Sequence, residues 1–125
     1  MSANPAKYDL EERTYEFARD VRAFIKRLPK SVCNMEDVKQ LVRTSGSVAS
    51  NYIEANERLS KKDFQLRIKI ARKEAKESRL WLRLVETQNS KELELDRARL
   101  IQEATELLKI LSAILKKTEI SRTQE

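Results

Sequence analysis

The sequence predicts an all-α fold, an up-down-up-down antiparallel four-helix bundle, and three observations carry that prediction. The chain holds one Gly and two Pro in 125 residues, and both prolines lie outside its long periodic segments. Four segments repeat apolar or small residues in alternating steps of three and four, the spacing that lines one face of a helix. Polar residues able to cap a helix stand at or near the starts of these segments. A chain this long forms one domain, 1–125, with ends expected to fray over about 1–7 and 119–125.

Asp9 is placed to cap the first helix, with Glu11 and Glu12 favouring the positive end of its dipole. Its inner face is Leu10, Thr14, Phe17, Val21, Phe24 and Leu28, and Pro29 closes it by disfavouring helical geometry in the residue before it. Asn34 with Asp37 resembles a capping box opening the second helix. That helix's expected seam is Val38, Val42, Ser45, Ala49, Tyr52 and Asn56. Gly46 sits among small residues there, and glycine costs about 1 kcal/mol relative to alanine inside a helix. It reads either as simple tight packing or as close backbone approach by another helix.

Ser60 with Asp63 repeats the capping signature, and the third helix runs to about Glu86 along Phe64, Ile68, Ala71, Ala75, Ser78, Leu82 and Val85. The small middles of the second and third seams predict that Ala71, Ala75 and Ser78 oppose Gly46 and Ala49. Ser90 is placed to cap the last helix, whose face is Leu93, Arg97, Leu100, Ala104, Leu107, Leu111 and Ile114. Ile101, Leu108 and Leu115 form a parallel row beside it.

At about 100° per residue the third helix carries three stripes. Besides its seam, a surplus apolar row of Leu66, Ile70, Trp81 and Leu84 has no obvious place inside one bundle. Together with Ile101, Leu108 and Leu115 it predicts either contacts between subunits of a homo-oligomer or a broad core within one. The third stripe is basic: Lys62, Lys69, Arg72, Lys76, Arg79 and Arg83, with Asp63, Glu74 and Glu77 on the opposite flank. A net charge of +6 makes polyanions plausible partners. The row reads as a phosphate-binding edge for RNA or DNA, as a docking edge for an acidic protein partner, or as a solvated face. No aromatic interleaves it, so stacking on single-stranded bases is not supported.

With no His, His-based triads and His-ligated zinc are excluded, and the one Cys cannot supply a multi-cysteine zinc site. The single Gly lies inside a helix, which excludes glycine-rich phosphate loops. Glu54, Glu74 and Glu77 are the remaining candidates for a carboxylate metal site, but the Glu-x-x-His element of di-metal bundles is missing. No catalytic residue, metal or cofactor is expected. Cys33 has no internal disulfide partner, and no apolar run approaches the roughly 20 residues of a bilayer span, so the expectation is a cytoplasmic protein.

The run from Ser47 through Ala55, with Arg58, Ser60, Phe64, Ile70, Ala71 and Glu77, resembles the signature of four-helix bundle proteins encoded in intervening sequences of 23S ribosomal RNA genes. The resemblance spans nearly the whole chain and is strongest from Ser45 to Leu84. Many members have Gly where Ala55 stands and Pro within the Ser47 to Asn51 stretch; this chain has neither, which looks like a subgroup. The resemblance implies a homopentamer without established enzymatic activity. It also implies kinship with the accessory variability determinant of diversity-generating retroelements, a basic pentamer associated with a reverse transcriptase and nucleic acid. Ser47, Asn51 and Glu54 share one helical face and are expected to form a polar network at a helix or subunit contact.

Overall fold

A computed structural model describes residues 9–57 and 59–124, with side chains through Glu119. The expected frayed lead of residues 1–7 and the motif residue Arg58 lie outside the described residues. Four helices follow in order: α1 Leu10–Lys26, α2 Val32–Asn56, α3 Lys61–Leu84 and α4 Lys91–Gln124. Each packs on its neighbours in sequence, and α1 closes the ring against α4. This is the up-down-up-down bundle. α4 runs on to Gln124, and neither Gly nor Pro follows Leu93 to interrupt it.

Three of the four expected caps stand where the sequence put them. The Asp9, Ser60 and Ser90 side chains accept from the amides of Glu12, Asp63 and Leu93, at 2.9, 3.0 and 3.2 Å. The second helix departs from expectation. Ser31 caps it, accepting from the Asn34 amide at 3.0 Å, while the Asn34 side chain is spent elsewhere. Its Nδ2 donates to the carbonyls of Pro29 and Glu86 at 2.9 and 2.8 Å, and its Oδ1 accepts from the Glu86 amide at 2.8 Å. Asn34, 2% exposed, therefore ties the α1–α2 corner to the α3–α4 corner at one end of the bundle. At that same end Arg97 reaches out of the α4 seam to the carbonyls of Leu82, Arg83 and Val85, occupying acceptors that the end of α3 would leave unpaired.

The core is aliphatic and aromatic: Phe17, Val21, Phe24, Leu41, Val48, Ile68, Leu82, Leu107 and Leu111 are at most 2% exposed. Each such side chain contributes about 1.5–3 kcal/mol through burial. The seams of α1 and α3 match the sequence reading closely. On α2 the buried residues are Leu41, Thr44, Ser45, Val48, Asn51 and Ala55, so the face is turned by about one residue, or 100°, from the expected seam. Thr44 and Ser78 are wholly buried yet satisfied: the Ser78 hydroxyl donates to Thr44 Oγ1 at 2.9 Å, and Thr44 donates to the Leu41 carbonyl at 3.4 Å. Small residues do line the α2–α3 contact, but Ser78 meets Thr44, not Gly46. Gly46 faces α1 instead, where an added Cβ would stand 3.2 Å from the Arg22 guanidinium.

Candidate nucleic-acid interface

The ends of the basic stripe are set by α3 itself. Ser60 fixes the first turn, and from there Lys62, Lys69, Lys76 and Arg83 recur every seventh residue on one exposed line. At about 1.5 Å per residue the line is about 31 Å long, with cations about 10 Å apart. Among the described residues none of these four forms an ion pair. The other two members of the row, Arg72 and Arg79, are half-buried, and Arg79 is turned toward α4, where it donates to Thr105 Oγ1 at 3.2 Å. Four exposed cations are thus free for a ligand.

The flanking carboxylates are already paired, with Arg43 of α2 or with cations of α3 itself. Glu74, 4% exposed, accepts from Arg43 at 3.3 Å, and Glu77 lies 4.0 Å from the same guanidinium and 3.6 Å from Lys73. Arg67 lies 4.0 Å from Asp63 and donates to Asn51 Oδ1 at 3.4 Å. Asn51 in turn donates to the Ser47 carbonyl and hydroxyl, each at 2.9 Å, so Ser47 and Asn51 form a polar network between α2 and α3. Glu54 is exposed and outside it. The carboxylates therefore neutralise one side of α3 and leave the other uncompensated. Among the described residues no group of three or more metal-ligating side chains comes together.

Beside the basic line runs the apolar row. Leu66 and Leu84 are about half exposed, at 52% and 51%, and Leu80, which the sequence reading missed, joins them at 44%. Ile70 and Trp81 are half-buried; Trp81 packs on the core, and its indole Nε1 is a buried donor without a partner. The Lys73–Glu77 pair interrupts the row in the middle. The α4 members fare differently. Leu115, at 3% exposure, is a core residue of the single bundle and drops out of the expected subunit contact. Ile101 packs against the same core, and Leu108 is half-buried. The reason is angular: at 100° per residue Leu115 falls within about 40° of Leu111, so the α4 stripe widens inward.

The family model of the 23S rRNA-intervening sequence protein matches residues 6–113. The chain belongs to that family. A crystal structure described as a protein of unknown function from the S23 ribosomal protein family, from Bacteroides thetaiotaomicron VPI-5482, superposes with a TM-score of 0.72 at 28% identity. The match covers 85% of this chain and 97% of that one. No curated protein matches the chain. The motif residues that carry the family resemblance divide by role in this structure. Val48, Ala55 and Ala71 are buried packing residues, and Ser47 and Asn51 join α2 to α3. Ser60 caps α3. The family signature here is thus largely a description of how α2 packs on α3, and the basic line lies outside it. Among the described residues no helix is long and apolar enough to cross a membrane.

Proposed function

We propose that this protein is a non-enzymatic, cytoplasmic homo-oligomer that binds RNA or DNA through phosphate contacts from α3. The observation that carries the reading is the exposed line of Lys62, Lys69, Lys76 and Arg83, unpaired among the described residues and about 31 Å long. Cations held in a row on a rigid helix neutralise successive phosphates and release counterions, which favours binding without base readout. The neighbouring Leu66, Leu80 and Leu84 supply an apolar strip suited to a contact between subunits, which would bring several basic lines onto one assembly. Membership of the 23S rRNA-intervening sequence family is compatible with the same reading.

The test is charge reversal of Lys62, Lys69, Lys76 and Arg83 to Glu, leaving the packed Arg79 intact. The expected outcome is loss of retention on immobilised RNA and DNA with unchanged helicity. Retention equal to wild type would refute phosphate contact by α3. Salt-insensitive indifference of the wild-type protein to generic RNA would favour instead an adaptor whose basic line meets an acidic protein.

A further inference from the structure

On the outside of the bundle, away from α3, a furrow follows the Tyr15–Lys26 flank of α1 and continues into the corner between α1 and the first turns of α2. It consists of two hollows of about 430 and 440 Å³ that meet at Lys26. Its apolar lining comes from Ile25, Leu28, Pro29 and Val38, with Met35 standing 58% exposed on the rim. Tyr15, 52% exposed, marks the other end. Met is a common lining residue of surfaces that accept partner helices, because its flexible thioether adapts to different side chains.

The furrow carries five cations, Arg19, Arg22, Lys26, Lys30 and Lys39, and no carboxylate in its lining. Lys26 and Lys30 have no ion partner among the described residues. Arg19 is held by Asp20 at 3.2 Å, and Lys39 by Glu36 at 3.3 Å. The polar groups inside it are already satisfied. Arg22 donates to the Ala18 and Val42 carbonyls and to Ser45, and the Asn34 amide is fully used at the corner. A ligand therefore meets an apolar floor that asks for no hydrogen bonds, between positively charged banks.

We propose that the α1–α2 furrow docks an amphipathic helix with acidic flanks, supplied by a partner protein. Its shape suits a helix: the stretch from Tyr15 to Lys30 measures about 22 Å along α1 and its corner, the length of about four helical turns. The furrow is open along its whole length, so it would leave most of a small amphiphile in water, whereas bound small molecules are usually enclosed. Nucleic acid is a poor occupant, since the floor is aliphatic and the one exposed ring, Tyr15, already lies 5.8 Å beneath the Arg19 guanidinium.

The test uses the full chain and a fluorescent synthetic peptide of about 16 residues, with Leu along one face and Glu on both flanks. Controls are a scrambled peptide, a version with Lys replacing Glu, and sodium dodecanoate as competitor. The expected result is saturable binding of the acidic helix alone, weakened at least about tenfold by Met35→Glu and by the double variant Lys26→Glu, Lys30→Glu. Lys69→Glu on α3 leaves peptide binding unchanged, which separates this site from the proposed phosphate line. The proposal is overturned if scrambled and acidic peptides bind alike, or if dodecanoate saturates the furrow where the peptide does not. It also fails if both sets of variants leave peptide binding intact, or if Met35→Glu splits an oligomer in light scattering and the peptide never binds. Circular dichroism of each variant guards against loss of fold.

Discussion

If α3 binds phosphates through its exposed line, the salt dependence of binding should count the residues. Removing counterions from duplex nucleic acid gives a slope of log Kobs against log salt of about −0.9 per phosphate neutralised, and about −0.7 for a single strand. Four contacts from Lys62, Lys69, Lys76 and Arg83 therefore contribute a slope of about −3.6 on duplex or about −2.8 on single strands. Between 50 and 200 mM salt this weakens binding by roughly 150-fold or 50-fold respectively. Each single alanine substitution should flatten the slope by about one contact, and the quadruple variant should remove the whole increment. Arg79→Ala should change it less, because that guanidinium is turned toward Thr105. Fluorescence anisotropy titrations at four or more salt concentrations measure the slopes. A quadruple variant that binds with the wild-type slope refutes the reasoning, since the contacts would then lie on another surface.

Three further outcomes follow from the geometry. Asn34→Ala strips three hydrogen bonds from a residue that joins two corners, leaving the Glu86 amide and carbonyl short of partners, and should cost about 3 kcal/mol; a thermal melt should fall by about 10 °C. Leu115→Ala should cost about 2–5 kcal/mol as a core cavity, whereas Leu66→Glu and Leu84→Glu should leave the melt of the subunit nearly unchanged and lower the mass seen in light scattering. Asp96 is held below the usual carboxylate range, chiefly by its hydrogen bond from Arg27 and further by Arg99. Because the native value is lowered, this pair's stabilisation is fully present above about pH 5 and is lost as pH falls through the carboxylate range. Asp96→Asn should therefore melt earlier than wild type at pH 7, with the gap closing in acid, as followed by circular dichroism.

What the sequence disclosed depended on how far each signal reached along the chain. The α1 and α3 seams were legible because their apolar and small residues repeat without a break in steps of three and four, and on α3 the surplus row of Leu66, Ile70, Trp81 and Leu84 stands on a separate face. On α2, Val38, Val42, Ala49 and Ile53 compete with Leu41, Val48 and Ala55, and the buried face also contains Thr44 and Asn51. Such polar residues belong in a core only when partners such as Ser78 and Arg67 stand opposite, and those partners are 34 and 16 residues away, on the next helix. Asn34 misled for the same reason: a capping role needs only its neighbours, but its actual role needs Glu86. The basic line was legible from spacing alone, while the contact of Arg79 with Thr105 of α4 was not. The furrow between α1 and α2 left no periodic trace, because it is assembled from the flank of one helix and the first turns of the next.

The unequal lengths of the helices have a consequence for how the molecule opens. α4 has 34 residues and α1 only 17, and the last polar contact between them among the described residues joins Arg13 to Glu103. The end of the bundle that holds both Asn34 and Arg97 is cross-tied between three segments. At the opposite end Asn56 Nδ2 donates to Glu11 Oε2 at 2.7 Å, and Phe64 and Asn56 meet Lys117 and Thr118 around an open hollow where α4 has outrun α1. Amide protons near Leu82 and Leu93 should then exchange only through global unfolding, while those of α4 beyond Leu111, past the reach of the shorter α1, escape through smaller openings. Lys62 stands at the end where α4 outruns α1 and Arg83 at the end tied by Asn34 and Arg97, so a polyanion lying along α3 would slow exchange most at the Lys62 end.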